Sequence, residues 1–316
     1  MSMEVKALEH LLKVELATDK LRLIGRAGGG CINDGCSYET DTGKVFIKTN
    51  SKSEAKLMFD GEVASLQTIR STNTVRVPRP IKSLANPSGG AVLIMEHLDM
   101  HSLNRHQKML GERIAALHLH NQHVGDELKK HKGTIGKGVG QEDVQYVEKF
   151  GFYTTTCCGY IPQANDWQQE WPTFFINQRL QPQLDLIERD YGDREVHQLW
   201  SQVQSKIPVL FEGMTIRPSL LHGDLWGGNV AETSEGAVVF DPASFYGHSE
   251  FELAIAGMFG GFGHNFYDAY HSLIPKSPGF EKRMKLYRLF NYLNHWNHFG
   301  TGYKGSTLST MRSLLS

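Results

Sequence analysis

A short motif in the last third of the chain constrains its fold more than any other feature. The motif runs from His222 to Asn229 (His-Gly-Asp-Leu-Trp-Gly-Gly-Asn), and an apolar run that ends in Asp241 follows it. Four residues separate Asp224 from Asn229, as in the catalytic loop of kinases. A carboxylate there can accept the proton of an acceptor hydroxyl, and amide and carboxylate oxygens are ligands that Mg²⁺ prefers. The motif therefore predicts Asp224 as the catalytic base and Asn229 and Asp241 as magnesium ligands.

Two upstream segments have the composition expected of a phosphate-binding hairpin. The first is a glycine triplet (Gly28, Gly29 and Gly30), and glycine lets backbone N–H groups approach a phosphate closely. The second is the β-branched and aromatic run 44–48, which predicts a strand that ends in Lys48. We therefore predict that the three glycines and Lys48 contact the phosphates of ATP.

A helix and a further strand complete the predicted nucleotide-binding lobe. Apolar residues at helical spacing over 55–69 predict a helix with Ser53 as its N-cap. Glu62 lies on this helix and is the expected ion-pair partner of Lys48, with Glu54 as a competing candidate. The next apolar run predicts a buried strand, and the backbone that ends it should hydrogen-bond the adenine. This hinge comprises Met95, Glu96, His97 and Leu98.

The order of these segments predicts an α+β chain with two lobes. An antiparallel sheet plus one long helix forms an N-terminal ATP-binding lobe at residues 1–98, and a mainly helical catalytic and substrate lobe occupies residues 99–316. ATP should bind in the cleft between them. Helical patterns in the second lobe cover residues 103–120, 173–187, 194–210 and 282–299. The glycine-rich segment 133–140 is expected to be a mobile loop.

Longer segments carry a resemblance that is more specific than the general kinase pattern. From about residue 9 to the C-terminus, the chain resembles the fructosamine-3-kinase family, the ketosamine 3-kinases. The segments that carry this resemblance are residues 28–32, 45–48, 59–62, 95–97, 156–163, 221–231, 240–248 and 292–300. The resemblance implies a bilobal, protein-kinase-like fold of the aminoglycoside and choline kinase type.

The same resemblance implies a reaction and its substrates. Members of this family use ATP and Mg²⁺ to phosphorylate the O3 hydroxyl of ketosamines, the adducts that sugars form with amines. The acceptors are fructosamines, ribulosamines or psicosamines, either free or on protein lysines. Their 3-phosphates decompose and free the amine, so the expected role is to begin deglycation repair. Which of these sugars the chain accepts stays open.

Three departures from protein kinases favour a small-molecule acceptor. Gly223 stands where the protein-kinase loop has arginine, Pro242 and Ala243 follow the metal-binding aspartate, and no Ala-Pro-Glu segment signals peptide docking. A kinase of another amine-bearing polyol, such as an aminoglycoside or choline, is the main alternative. A non-catalytic kinase-like binding module is a second alternative, although Lys48 and the catalytic loop are all retained.

Composition gives no reason to expect nucleic acid or a membrane as partner. The 316 residues include 33 basic and 34 acidic ones, for a formal net charge of −1. No apolar run approaches the length of a membrane span. The four cysteines do not form the pattern of a secreted disulfide framework, which predicts a cytoplasmic protein with reduced thiols. We expect the protein to be a monomer.

The substrate pocket is less determined by sequence. A sugar acceptor needs hydrogen-bonding groups and an aromatic platform, and the candidates are Trp226, Tyr246, His248, Glu250, His295 and Trp296. For each aromatic ring and histidine in this set, core packing is an equally good interpretation. His295 and His298 share a helix face, but the sequence shows no third metal ligand beside them.

Cys31 directly follows the glycine triplet and is a candidate for redox control. Backbone amides that bind anions can stabilise a thiolate, lower the pKa of the cysteine and make it reactive. We therefore predict that oxidation of Cys31, or a Cys31-linked dimer, reversibly lowers activity. An unreactive residue selected for its size is the alternative interpretation.

Overall fold

A five-stranded antiparallel sheet forms the amino-terminal part of the fold. The computed structural model describes residues 3–26, 32–132 and 145–316. The strands of the sheet are β1 (Arg22–Arg26), β2 (Asp34–Thr40), β3 (Gly43–Asn50), β4 (Pro80–Ala85) and β5 (Ala91–Glu96). Their spatial order is β1-β2-β3-β5-β4, and every neighbouring pair is antiparallel.

Two helices cover the two faces of this sheet. Helix α1 (Met3–Glu15) buries Leu12 against one face, where it packs with Val45, Ile47, Val92 and Ile94. Helix α2 (Ala55–Ser71) belongs to the larger core on the other face, together with the intervening residues of β5. Because side chains alternate along a strand, Lys48 of β3 lies on the face opposite Ile47 and therefore towards α2.

The carboxy-terminal part of the fold is mainly helical. Its helices are α3 (Gln107–Lys132), α4 (Trp171–Phe175), a π-helical turn (Ile176–Leu180), α5 (Gln181–Tyr191), α6 (Arg194–Lys206), α7 (Ser249–Ala256), α8 (His264–Leu273), α9 (Phe280–Phe299) and α10 (Lys304–Leu315). Short 3₁₀ turns occupy Pro208–Phe211, Gly227–Asn229 and Thr301–Tyr303. This arrangement confirms the predicted α+β class with an antiparallel amino-terminal sheet.

Three small strand pairs position the loops that carry the motif. They are β6 (Thr156–Cys158) with β7 (Ile161–Gln163), β8 (Ser219–Leu221) with β11 (Phe245–Gly247), and β9 (Val230–Thr233) with β10 (Gly236–Val239). The motif connects β8 to β9, and Asp241 lies between β10 and β11. Two backbone hydrogen bonds join these loops, from Ala243 N to His222 O (2.8 Å) and from Phe240 N to Asn229 O (3.0 Å).

Helix α3 begins later and ends later than the sequence pattern indicates. The N–H groups of Asn104, Arg105 and His106 all donate to Oε2 of Glu232, at 2.9–3.1 Å. A carboxylate from β9 therefore caps the helix, because the first N–H groups of a helix have no partner within it. The predicted start at residue 103 missed this contact, since Glu232 is more than a hundred residues away in sequence.

Other local predictions also need correction. Helix α2 begins after Glu54, whose side chain makes no capping bond, so Ser53 is not its N-cap. The predicted helix 173–187 extends over three consecutive segments from Trp171 to Tyr191, including the π-helical turn. The predicted lobe boundary at 98/99 lies in the connection between β5 and α3.

Some predictions fall outside the described residues. These are the glycine triplet (Gly28, Gly29 and Gly30), Cys31 and the glycine-rich segment 133–140. Across the three described ranges, none of the helices has both the length and the apolar character needed to cross a bilayer.

Candidate active site

An ion-pair triad, in which Lys48 and Glu62 are buried and Asp241 is partly exposed, links the two halves of the fold. The side chain of Lys48 is 7% exposed, and its Nζ lies 2.7 Å from Oε1 of Glu62 and 2.6 Å from Oδ1 of Asp241. Strand β3, helix α2 and the loop after β10 each supply one member. The structure thus pairs Lys48 with Glu62 as predicted, whereas the competing Glu54 is exposed to solvent. The ion pair between Lys48 and Asp241 was not predicted.

The triad places two carboxylates around one cation. Burial lowers the pKa of Lys48, but the charges of Asp241 and Glu62 outweigh this effect and hold that pKa above its usual range. Burial raises the pKa of Glu62 to about 7; the charge of Asp241 adds to the increase and that of Lys48 opposes it. Lys48 therefore stays charged. A cation or a phosphate that binds near Asp241 would alter the ion pair between Asp241 and Lys48.

Asp224 lies beside the triad and is fixed by Asn229. The Nδ2 group of Asn229 donates to the backbone oxygen of Asp224 at 2.9 Å and to its Oδ2 at 3.0 Å. Burial and then the negative charge of Asp241 raise the pKa of Asp224 to about 7, although the Asn229 hydrogen bond partly opposes them. A carboxylate whose pKa is near the working pH is suited to act as a general base.

The residues present fit a magnesium ion that is shared with phosphates. Both donor bonds of Asn229 go to Asp224, so its carboxamide oxygen is the group that can serve as a metal ligand. Asp241 is one of three non-glycine residues with positive φ in the described ranges (φ 57°), and such backbone strain is concentrated at functional sites. Within the described part of the chain, no three His, Cys, Asp or Glu side chains form a metal cluster. A metal here therefore needs oxygens from a ligand or water, as is usual for Mg²⁺.

Glu252 fixes the catalytic loop, and the sequence analysis missed it. This residue of α7 is fully buried, and its two carboxylate oxygens accept hydrogen bonds from the backbone N–H groups of His222 and Gly223. His118 Nε2 lies 3.5 Å from the same carboxylate, and the charges and hydrogen bonds around Glu252 lower its pKa despite the opposing effect of burial. The available signal was an acidic residue within the apolar helix run 251–256.

Gly223 is required by the close approach of the two loops. Its φ is +87°, and a Cβ atom at this position would lie 2.0 Å from the backbone oxygen of Ala243. The ring of His222 also joins the two loops, because its Nε2 lies 2.9 Å from the backbone oxygen of Phe240. This geometry gives a physical reason for glycine where protein kinases have arginine.

A cleft of about 1140 Å³ connects the triad with the predicted hinge. Met95, Glu96, His97 and Leu98 all line it. The Glu96 carboxylate accepts from Arg76 and from the backbone N–H of Arg79, and these bonds fix the end of β5. His97 joins Ser37 and Asp99, with 3.0 Å from each ring nitrogen to its partner. Side-chain hydrogen bonds of Glu96 and of His97 therefore fix the hinge.

The predicted substrate residues divide into two groups. Trp226 and His295 line the same cleft as Asp224. Four others pack within the protein: Glu250 pairs with Arg283 at 2.7 Å, His248 bonds Tyr287, Trp296 is fully buried, and Tyr246 packs near Phe152 and Trp167. The structure does not bring Tyr246, His248, Glu250 or Trp296 to the cleft surface, and packing is the interpretation that fits them.

The histidines of α9 form hydrogen bonds within the fold. Nδ1 of His295 and Nδ1 of His298 each lie 2.7 Å from a backbone oxygen one turn earlier, so each Nδ1 must carry a proton. His298 Nε2 accepts from the backbone N–H of Tyr160 at 3.2 Å. These bonds use three of the four ring nitrogens of this histidine pair.

Comparison with known proteins identifies one protein family over nearly the whole chain. The sequence profile of the fructosamine kinase family matches residues 3–316. The mouse protein ketosamine-3-kinase is 60% identical over 97% of this chain and 99% of its own length. A protein-ribulosamine 3-kinase of rice (Oryza sativa subsp. indica), described as chloroplastic, is 38% identical over 94% of this chain and 80% of its own length.

Solved structures show the same fold at lower sequence identity. A fructosamine-3-kinase candidate from Haemophilus somnus has a TM-score of 0.78 at 23% identity, covering 99% of this chain and 98% of its own. A mutant of aminoglycoside phosphotransferase APH(4)-Ia, in complex with AMP-PNP and hygromycin B, has a TM-score of 0.58 at 13% identity and 98% coverage of both chains. The fold is therefore protein-kinase-like, and the chain belongs to the fructosamine kinase family.

Proposed function

We propose that this protein is an ATP-dependent ketosamine 3-kinase. It transfers the γ-phosphoryl group of ATP to the O3 hydroxyl of fructosamines, ribulosamines or psicosamines, and so begins deglycation. One observation carries the proposal: Asp224 and the triad of Lys48, Glu62 and Asp241 share one cleft. The 60% identity to mouse ketosamine-3-kinase supports the choice of acceptor.

The hinge end of the cleft is the proposed ATP site. The backbone of residues 95–98 would bond the adenine, and Lys48 would supply a positive contact to the phosphates while Glu62 holds it in place. Asn229 and Asp241 would hold Mg²⁺, which neutralises charge on the phosphates when it is bound. Gly28, Gly29 and Gly30 remain the proposed phosphate-binding backbone.

Asp224 is the proposed base for the acceptor hydroxyl. Its carboxylate would accept the O3 proton as the oxygen attacks the phosphoryl group, and Asn229 would keep that carboxylate in one orientation. A pKa raised to about 7 makes the carboxylate a better proton acceptor than an ordinary aspartate. Trp226 and His295 are the proposed contacts for the sugar, because both line the cleft that also holds Asp224.

We further propose a cytoplasmic monomer that acts on glycated proteins and glycated small amines. Redox control would act through Cys31, with a Cys31-linked dimer as one oxidised form. The three described cysteines, Cys36, Cys157 and Cys158, are free thiols. Burial raises the pKa of Cys157 to about 11 and also raises that of Cys158, so neither is a good thiolate at neutral pH. Cys31 is therefore the first residue to test, because of its position after the glycine triplet, and Cys36 is the second.

An acceptor screen with Mg-ATP tests the proposal. The acceptors are methylamine adducts of 1-deoxyfructose, 1-deoxyribulose and 1-deoxypsicose, with hygromycin B and choline as controls. We expect ATP consumption with at least one ketosamine and a phosphate on O3 of the product by NMR. Consumption with hygromycin B or choline alone would assign the chain to the alternative class of amine-bearing polyols. Absence of consumption with every acceptor, while Mg-ATP still binds, would favour a binding module.

A further inference from the structure

A band of aromatic rings borders the acceptor end of the cleft. We name this band the aromatic rim and define it as Trp226, Phe259, His295, Phe299 and Tyr303, all of which line the cleft. Three of its large apolar side chains are exposed: Phe299 by 55%, Phe259 by 42% and Trp226 by 38%. Contiguous exposed apolar groups are unfavourable in water, and they mark surfaces that bind a partner.

The rings of the rim form a continuous path away from the catalytic loop. Ring centroids are 6.1 Å apart from Trp226 to Phe259, 4.9 Å from Phe259 to His295 and 5.6 Å from His295 to Phe299. Trp226 lies two residues after Asp224, whereas Phe299 is the last residue of α9. The rim therefore begins beside the proposed base and leads outward to solvent.

The segment that carries Phe259 is fixed to the catalytic loop. This segment connects α7 to α8, and a Cβ atom on Gly261 would lie 2.8 Å from the Cα atom of Gly227. Gly261 has φ +94°, so glycine is needed at this contact. Because the two backbones touch, the position of Phe259 is fixed relative to Asp224. A residue that selects substrates needs such a fixed position.

The rim offers more aromatic surface than one sugar ring needs as a platform. Trp226 can serve as that platform beside Asp224, whereas Phe259 and Phe299 add further apolar surface and no hydrogen-bonding group. A glycated lysine differs from a small ketosamine by its apolar four-carbon stem and by the polypeptide behind it. The three ring-to-ring steps from Trp226 to Phe299, each of 4.9–6.1 Å, give the rim room for the stem and for polypeptide beyond it.

We infer that Phe259 and Phe299 bind the lysine stem and adjacent polypeptide of a protein-bound ketosamine, and so favour glycated proteins over small glycated amines. This inference rests on the proposed function. The rings would contribute by removing the stem and the neighbouring apolar groups from water. They act on whether the ketosamine is carried by a protein or by a small amine, whereas the sugar itself lies against Trp226, next to Asp224.

Steady-state kinetics on matched acceptors test the inference. One acceptor is ribose-glycated lysozyme, and the other is the same 1-deoxyribulose group on methylamine. For Phe259→Ser and Phe299→Ser, we expect the ratio of kcat/KM for the protein to that for the methylamine adduct to fall about tenfold, mainly through KM. Phe299→Leu, which keeps an apolar side chain, should restore most of the ratio.

Tyr153→Ser is the matched control, because Tyr153 is an exposed aromatic residue (61%) outside the cleft. The control should leave the ratio unchanged. An unchanged ratio in both rim variants, or an equal loss with both acceptors, would overturn the inference while the ketosamine kinase activity stands. If wild-type protein phosphorylates neither acceptor and no other ketosamine, the proposed function itself fails.

Discussion

The two ends of the cleft are built from different kinds of interaction. At the phosphate end, Lys48, Glu62 and Asp241 are joined by short ion pairs across three elements of the fold. At the acceptor end, Trp226, Phe259 and Phe299 present exposed rings to the opening. Phosphoryl transfer requires charges at fixed positions, because its transition state is stabilised electrostatically. Recognition of an acceptor depends on shape and apolar contact, which different sequences can supply in different ways.

The largest expected effects belong to the phosphate end, and two substitutions there should differ. Asp241→Ala should abolish transfer because it removes a proposed magnesium ligand, while the protein stays folded. Lys48→Met should abolish transfer and also lower the free energy of unfolding by about 3 kcal/mol, because it leaves two carboxylates without their buried cation. Calorimetry of Mg-ATP binding and thermal denaturation separate the two. Normal activity and normal Mg-dependent ATP binding in Asp241→Ala would remove Asp241 from the metal site.

Glu252 should have a smaller effect, through the backbone of the catalytic loop. Glu252→Gln leaves one neutral acceptor oxygen and replaces the other by an NH₂ donor, so it removes one of the two hydrogen bonds to the N–H groups of His222 and Gly223 and weakens the other. We expect kcat to fall about 10–100-fold. The KM for ATP should change little, because Glu252 does not line the cleft. Leu253→Met on the same helix is the matched control for packing. If kcat of Glu252→Gln equals that of the control, the carboxylate has no positioning role.

The pH dependence should be smaller again and should come from Asp224. The base acts when it is deprotonated, so kcat/KM for the acceptor should fall as the pH decreases through the pKa of this residue. That pKa is about 7 without ligands, partly because of the charge of Asp241. Mg²⁺ at Asp241 would compensate that charge, so the acidic limb at saturating Mg-ATP should lie below 7. A profile that is flat from about pH 5 to 8 would contradict the assignment.

Sequence information was sufficient where function depends on local spacing. The five-residue step from Asp224 to Asn229 places both on one loop, and the structure joins them by two hydrogen bonds. Lys48 and Glu62 are only fourteen residues apart, so a strand followed by a helix brings them together. The alternation of side chains in β3 then decides that Lys48 lies towards the helix.

Contacts between distant parts of the chain were not predictable in this way. Glu232 caps α3 across more than a hundred residues, and Glu252 reaches the catalytic loop from a later helix. His248 and Glu250 follow the metal-binding aspartate in sequence, yet they are buried against Tyr287 and Arg283. Proximity to a motif therefore did not identify the residues that line the cleft, because tertiary packing determines which side chains face it.

The most direct test of the central claim is the substitution Asp224→Asn, measured for both turnover and stability. If Asp224 is a base held in a desolvated site, turnover should fall by about two to four orders of magnitude. Stability should increase. A carboxylate whose pKa is raised from 3.8 to about 7 lowers the stability of the folded state as the pH increases through that range, and the substitution removes this effect.

We therefore expect Asp224→Asn to raise the free energy of unfolding at pH 8 by about 2 kcal/mol, with a smaller gain near pH 4. The full pKa shift would correspond to about twice this free energy. We expect only about half of it, because the carboxyl group borders the open cleft, where solvent screens its charge. Loss of turnover together with a higher melting temperature at pH 8 is the predicted result. Near wild-type turnover, or a lower melting temperature at pH 8, would contradict the assignment of Asp224 as a partly buried catalytic base.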